Sequence, residues 1–317
     1  MERRDDMSAK HVAVLMGGWD SERQVSLWSG EACAEALESK GHRVTRIDVG
    51  RDVFSRLEAL RPEVAFNALH GAWGEGGAIQ GMLETLRIPY THSGVLASAL
   101  AMNKDKAKMI FAQVGVPVAR SVVVDRFAAA KEHVIPPPYV VKPVAEGSSF
   151  GVIIVTAGRS HPPQELTRED WPYGRRVLVE SYVGGMELTC AVMGSPGDER
   201  ALGIIEIVPA ETLPFYDFDA KYRRGGSVHI LPARLLPDVY QEVQMLAVRA
   251  HRSLGCRGVS RADFRYDAEG TGELVCLEVN TQPGMTATSL VPDMAAHSGI
   301  AFADLVDWMV EDASCDR

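Results

Sequence analysis

The sequence predicts an α/β protein (α+β overall) whose N-terminal parallel sheet is followed by antiparallel sheet. Two observations carry that class. Over roughly the first ninety residues strand and helix signals alternate as βαβαβα, which demands parallel strands with helical crossovers. Beyond residue 138 apolar strands follow one another with turn residues between them, and GVSRADFRYD and GELVCLEVN flank the turn signal AEGT as an antiparallel hairpin does.

The elements follow in order. HVAVLMGG is a short apolar strand ending in glycines, and SLWSGEACAEALESKG a helix stopped by Gly41. HRVTRIDVG and EVAFNALHG are the next strands, separated by the helix FSRLEALRPE. A glycine-rich turn, GAWGEGG, then leads into the helix AIQGMLETLRI. Ligand loops of a parallel sheet lie at the carboxyl ends of its strands, so residues 17–23, the segment after Asp48 and residues 70–77 all qualify. After the junction IPYTHSGVLAS comes one expected helix over residues 99–115. The strand YVVKP and the strand VIIVTA bracket EGSSFG as a hairpin. RVLVESYV, ELTCAVMG and LGIIEIVP continue the antiparallel pattern, and the aromatic stretch PFYDFDAKYRRGGS reads as a lid.

At 317 residues the chain holds two or three domains of about 150 residues each. The boundaries expected are a disordered leader over 1–10 (with Met7 a second candidate start), a parallel α/β domain over 11–94, a small central domain over 95–182 and a C-terminal domain over 183–317. The formal net charge of -9 argues against a nucleic-acid partner. Five scattered cysteines, none in a C-x-x-C pair, give neither a zinc frame nor a disulfide frame and fit a reducing cytosol. No signal peptide and no membrane-length apolar run is present, so a cytoplasmic protein is expected.

Four constellations carry chemistry. Arg261 and Asp263 share one face of the penultimate strand, as do Glu278 and Asn280 on the last. Two carboxylates and an amide suit Mg²⁺, which shares its shell with water and phosphate. Arg261 beside them would stabilise an oxyanion. The plainer alternative is an exposed salt-bridge ladder, and the hairpin register is open; Asp263 opposite Cys276 and Arg261 opposite Glu278 is one register that gathers the four. Second, Lys142 ends a buried-looking strand before a loop with Gly147, Ser148, Ser149 and Gly151, whose backbone N–H groups can approach phosphate; an ordinary glycine-serine turn is the alternative. Third, Lys104 and Lys221 are candidate cations, the latter among Tyr216, Phe218 and Tyr222. Fourth, Glu22 and Ser26 stand at the start of the first helix, where a carboxylate either complements the dipole or receives a substrate ammonium.

Taken together, GGWDSERQVSLWSG, LHGAWGEGGAIQGMLETLRIPYTHSGVLASALAMNKDKAK, VVKPVAEGSSFGV, YDFDAKY, RADF and LEVNTQPGMTATSLVP resemble the ATP-grasp ligases, and within them the D-alanine–D-alanine ligase family. The resemblance covers nearly all of the chain after the leader. It implies an ATP-grasp fold in which two α+β domains clasp ATP, and the ATP-dependent joining of two D-alanines through an acyl phosphate for peptidoglycan precursors. By resemblance, Lys104, Lys142 and Lys221 meet ATP phosphates, with Glu146, Gly147, Ser148 and Ser149 in the loop that closes over them. Glu180, Tyr182 and Val183 hold the adenine, and Glu187 the ribose. Asp263, Glu278 and Asn280 hold two Mg²⁺ ions, for which Mn²⁺ can substitute; a monovalent cation is a further open requirement. Glu22 binds the ammonium of the first D-alanine, His70 is a further substrate-binding residue, and Ser289 and Leu290 receive the carboxylate of the second. Arg261 and Gly284 face the reacting centre. Tyr222, grouped with Glu22 and Ser148, goes with dipeptide rather than depsipeptide products.

The family also implies a homodimer through the N-terminal domain. Phe150 and Asn103 depart from its usual aliphatic and aspartate residues without removing a proposed ligand, and HPPQELTREDWPY over residues 161–173 is less regular than the helix expected there. Another ATP-grasp carboxylate–amine ligase, or a D-alanine–D-lactate ligase, is the alternative activity. A dinucleotide-binding oxidoreductase would need G-x-G-x-x-G after the first strand, which MGGWDSE lacks. A non-catalytic nucleotide-binding module would tolerate loss of a metal carboxylate or phosphate lysine, and none is lost.

Overall fold

A computed structural model describes residues 9–209, 226–286 and 289–316. The expected leader is thus almost wholly outside the described residues, as are Lys221 and Tyr222.

The N-terminal domain opens with β1 (His11–Met16), α1 (Arg23–Ser39), β2 (Arg43–Asp48), α2 (Val53–Leu60) and β3 (Val64–Asn67). The strands are parallel in the order β2-β1-β3, and central β1 is buried at every position, which is why it reads as an unbroken apolar run. The expected GAWGEGG turn contains a short helix, α3 (Gly71–Glu75), ahead of α4 (Ala78–Leu86). The single helix expected over 99–115 is two, α5 (Val95–Met102) and α6 (Lys104–Gln113). Asn103 makes the break: its backbone is extended and its side chain accepts from the Lys106 N–H at 3.2 Å, an N-cap that restarts the helix.

The central domain carries β4 (Ser121–Asp125), α7 (Arg126–Lys131), β5 (Tyr139–Pro143), β6 (Ile153–Val155) and β7 (Arg176–Ser181). Its sheet is antiparallel in the order β4-β7-β5-β6, and the expected β5–β6 hairpin is formed. Residues 161–173 hold one short 3₁₀ turn over Gln164–Thr167.

The C-terminal domain is built on β8 (Met186–Gly194), β9 (Arg200–Pro209), β10 (Ser227–Ile230), β11 (Gly258–Tyr266) and β12 (Leu274–Asn280). They form an antiparallel sheet in the order β10-β9-β8-β11-β12. Among the described residues three helices accompany it: α8 (Pro237–Leu254), α9 (Leu290–His297) and α10 (Phe302–Asp312). Both faces of this sheet are covered. Leu188, Cys190, Val192, Ala262 and Phe264 pack with α5, α6 and the Val243, Leu246, Ala247, Ala250, Leu254 stripe of α8, whose spacing is that of one helix face. On the other face Ala191, Met193 and Val259 pack with α9 and α10, and the same apolar cluster continues through α1 to Leu37, Val12, Val14 and Phe66 of the N-terminal domain. The parallel sheet and the large antiparallel sheet therefore share one core.

The β11–β12 register is a correction. Asp263 lies opposite Glu278, Arg261 opposite Asn280 and Phe264 opposite Cys276, with a bulge that leaves Leu277 without a partner across the ladder. Residues i and i+2 normally share a face, but the extra residue breaks the alternation. Cys276 consequently faces the core with Phe264, while Glu278 emerges beside Asp263.

Phe264 is fully buried in that core. Phe264→Ala is expected to cost about 3–5 kcal/mol, seen as a lower urea midpoint by circular dichroism.

Candidate active site

Along β8 and β11 the sheet face that begins apolar at Val259, Ala191 and Met193 turns polar where its cover ends: Arg261, Asp263, Thr189, Arg265 and Glu187 follow. Asp263 accepts two hydrogen bonds from Arg261, at 2.9 and 2.8 Å, and one from Thr189 Oγ1 at 2.6 Å. Glu278 is ion-paired with Lys104 at 2.9 Å. The ladder expected as the plainer reading is thus half present. Arg261 does pair with Asp263, but in a cleft, with the two side chains 13% and 17% exposed, and Glu278 turns to a different cation.

Asn280 accepts from the Gln282 N–H at 2.8 Å, which fixes its amide: only Oδ1 can receive that proton. Among the described residues no three His, Cys, Asp or Glu side chains gather to hold a metal alone. Two carboxylates from opposed strand positions and one oriented amide oxygen fit a hard cation that takes its remaining ligands from water and phosphate.

Lys104 opens α6 and also donates to the Glu146 carbonyl at 2.6 Å, tying the helix to the loop after β5. That loop runs through left-handed backbone at Ser148 and Ser149 (φ +50° and +59°), so it is more than a plain glycine-serine turn. Glu22 precedes α1 but makes no capping hydrogen bond; its carboxylate accepts from Ser148 Oγ, so besides standing at the helix N-terminus it engages the loop after β5. A Cβ at Gly147 would lie 3.2 Å from Glu22 Oε2, so the small residue permits this approach.

Two cavities result. One of about 350 Å³ lies between the two antiparallel sheets, lined by Lys142, Glu180, Tyr182, Val183, Glu187 and Asp263, with apolar walls from Val140, Ile154 and Leu277. At its floor Glu180 is ion-paired with Lys142 (2.5 Å) and with Lys108. Burial opposes ionisation of Glu180, but the charges of Lys142 and Lys108 outweigh it and hold the carboxyl below its ordinary range. Burial also works against Lys142, and Glu180 with Glu278 outweighs that, leaving it raised. In Lys108 burial wins and the pKa is lowered. Glu187 pairs with Arg265 at 3.5 Å. An apolar slot with a charged floor and a lysine-bearing mouth fits an adenine nucleotide.

The second cavity, about 90 Å³, is lined by Glu22, His70, Glu75, Ser148, Arg261 and Asn280, and further by Gly284, Ser289 and Leu290. His70 Nδ1–H donates to the Glu75 carboxylate at 3.2 Å, and its Nε2 lies 3.4 Å from Ser29 Oγ. Burial would lower its pKa, but the hydrogen bond and charge of Glu75, with Glu22, raise it overall. Gly284 stands where a Cβ would come 3.1 Å from Ser289 Oγ. Ser289 precedes α9 and accepts from the Thr286 N–H at 2.9 Å. Lys104, Glu146, Gly147 and Glu278 line both cavities, so the two meet there.

The described site residues expected from the sequence thus reach one of two adjoining cavities, except Gly151 and Ser26, whose Oγ instead accepts from the Gly17 N–H at 2.8 Å and donates to the Ala68 carbonyl at 2.7 Å. Of the three loops expected at the parallel strands' ends, the first and third reach the small cavity; after β2, Asp48 is instead engaged by Arg23, two hydrogen bonds at 2.7 Å. Sequence reasoning missed Lys108, Glu75, Arg265, Thr189 and Gln282. Lys108 was one helical turn beyond Lys104, a spacing that puts both on one face. Glu75 has its partners close by, His70 and the Gly71 N–H, but within a glycine-rich turn that gave no sign of them; Arg265, Thr189 and Gln282 had no local signal, since their side-chain partners lie on distant segments.

A nucleotide-sized slot clasped between two antiparallel sheets is the arrangement of the ATP-grasp ligases, and this fold is of that class. Residues 110–311 match the family model described as D-ala D-ala ligase C-terminus. The chain is 65% identical over 311 residues to a D-alanine–D-alanine ligase of Beijerinckia indica subsp. indica, and 64% over 312 to one of Xanthobacter autotrophicus, covering 98% of this chain and 100% of each relative. Among solved structures, a D-alanine–D-alanine ligase from Bacillus anthracis complexed with ATP superposes with a TM-score of 0.79 at 28% identity, over 96% of this chain and 97% of that one. The VanG D-Ala:D-Ser ligase from Enterococcus faecalis also gives 0.79 at 28%, over 96% and 99%. The chain belongs to the D-alanine–D-alanine ligase family.

Removing Glu180 leaves two buried ammonium groups facing each other. Glu180→Ala is expected to lower stability by about 3–5 kcal/mol and to weaken ATP binding, measured by urea unfolding and calorimetric titration. The depressed pKa of Glu180 gives a sign as well. Its contribution is complete above the unfolded value of about 4.3 and is lost as pH falls through the lower native value, so the wild-type advantage over the variant shrinks in acid.

Proposed function

We propose that this chain works as a D-alanine–D-alanine ligase, making D-alanyl-D-alanine for peptidoglycan from two D-alanines and ATP. The observation that carries the mechanism is the meeting of the two cavities at Lys104, Glu146, Gly147 and Glu278, where an acceptor carboxylate would adjoin a terminal phosphate. ATP occupies the larger cavity, its adenine edge against Glu180 and the Tyr182–Val183 backbone and its ribose at Glu187. Lys104 and Lys142 meet its phosphates, with Ser148 and Ser149 of the covering loop and Lys221. Bound between Asp263, Glu278 and Asn280, two Mg²⁺ ions would neutralise phosphate charge.

Glu22 receives the ammonium of the first D-alanine, with His70 beside it. The D-alanine carboxylate attacks the γ-phosphorus of ATP, giving ADP and D-alanyl phosphate. Ser289 and the Leu290 N–H, at the N-terminus of α9, take the carboxylate of the second D-alanine, as helix N-termini favour anions. Its amine attacks the activated carbonyl, loses a proton, and the bond to phosphate breaks. Arg261 and the Gly284 backbone face the oxyanion that forms in between. No side chain of the chain acts as nucleophile. Positioning and charge do the work.

By its likeness to the family, Tyr222, which lies outside the described residues, favours an amine over D-lactate as second substrate. A cytoplasmic homodimer assembled through the N-terminal domain belongs to the same reading, as does tolerance of Mn²⁺. No described helix is long and apolar enough to cross a membrane.

Phosphate release from MgATP should occur with D-alanine alone, with the dipeptide as product by mass spectrometry. L-alanine should be inert, and adding D-lactate should give no depsipeptide. Turnover only with a different amino acid would keep the ATP-grasp chemistry and discard D-alanine. Arg261→Ala should lower kcat by about 10²–10³-fold.

A further inference from the structure

Gln282 is 1% exposed, two residues beyond Asn280, and none of the roles above uses it. Its side chain crosses to the N-terminal domain. Oε1 accepts from Asn67 Nδ2 at 2.6 Å, and Nε2 donates to the Leu69 carbonyl. Asn67, at the end of β3, is itself fully buried, and it organises the turn that follows: Oδ1 accepts from the Leu69 N–H at 3.2 Å and Nδ2 also donates to the Gly74 carbonyl at 3.1 Å. That turn is the one that presents His70 and Glu75 to the small cavity. On its other side the Gln282 N–H holds the Asn280 amide by its oxygen. A buried amide that joins the turn of one domain to the metal-facing strand of another is well placed to set the distance between them.

We propose that Gln282 is a positioning residue for the ligation: through Asn67 and Leu69 it fixes the turn carrying His70 and Glu75 relative to Asn280, and so sets the register of the first D-alanine against the phosphoryl donor. The paired amides suit this task. Each is a planar group with both donor and acceptor, so the Asn67–Gln282 contact is directional, and misalignment leaves buried polar atoms without partners. Gln282 lines neither cavity, so its effect is exerted through the residues that do. A displacement of about 1 Å at a reacting centre is enough to cost about 10²-fold in rate.

The proposal rests on the D-alanine–D-alanine ligase reading, and wild-type turnover with D-alanine tests that reading separately. Gln282→Met keeps the length and bulk of the side chain and deletes its polar atoms. It should lower kcat about 10–100-fold and raise the KM of the first D-alanine, with the KM of ATP unchanged. Asn67→Ser, made from the other domain, should give the same split, and the double variant should lose no more than the worse single one. Should Gln282→Met not fold, Gln282→Glu, which keeps the size and the acceptor but loses the Nε2 donor to the Leu69 carbonyl, should show the same split and decides in its place. A lowered melting temperature with wild-type kcat and KM values would overturn the proposal and leave Gln282 a packing residue; so would losses that add in the double variant, or an equal rise in the KM of ATP.

Discussion

Asp263 and Glu278 stand opposite one another on neighbouring strands, and like charges in that position repel. The site is arranged around this constraint. Each carboxylate has its own cation, Arg261 on one and Lys104 on the other, and these come from different parts of the chain: Arg261 from the same strand as Asp263, Lys104 from the first turn of a helix that follows the N-terminal domain. Lys104 in turn holds the Glu146 carbonyl. The charge balance of one strand pair thereby fixes where the α5–α6 break, the phosphate-facing loop and the sheet end meet. The same break is set locally by Asn103, so a cap and an ion pair agree on one geometry.

Much of this was legible in the chain itself. The βαβ alternation gave the parallel sheet, because a fully buried β1 must read as continuous apolar residues. The polar positions on β11 and β12 were visible because i and i+2 share a face. Their register was not. One residue, Leu277, bulges out of the ladder, and nothing in CLEVN marks it: Cys276 is compatible with either face, so the apolar pattern could not locate the interruption. The α5–α6 break escaped for a similar reason. ALAMNKDK is composed almost wholly of good helix formers, and the cap asparagine is as acceptable inside a loop as inside a weak helix.

The partners of the site residues were harder still. Glu180 was expected as an adenine contact, but its buried pairing with two lysines depends on Lys108 reaching β7 from α6 and on Lys142 lying on the neighbouring strand β5, a tertiary fact. Gln282 and Asn67 are some 215 positions apart in sequence. A polar residue in QPG or FNA has no local signature that distinguishes a buried amide from a loop amide. Motif resemblance reached the residues that would touch substrate, and stopped short of those that hold them still.

The single core shared by the parallel sheet and the five-stranded sheet bears on how such a protein can be recombined. Val12, Val14 and Phe66 belong to one continuous apolar cluster with Ala191, Met193 and Val259, joined by the packing of α1 on α10, so the seam between these two domains is packed as an interior rather than as a docking face. The central domain differs, having an apolar cluster of its own around Tyr139, Val141 and Val179. A chimera built between relatives would therefore tolerate exchange of residues 121–181 as a cassette more readily than a cut at the end of the N-terminal domain, where every crossover divides side chains that were fitted to each other.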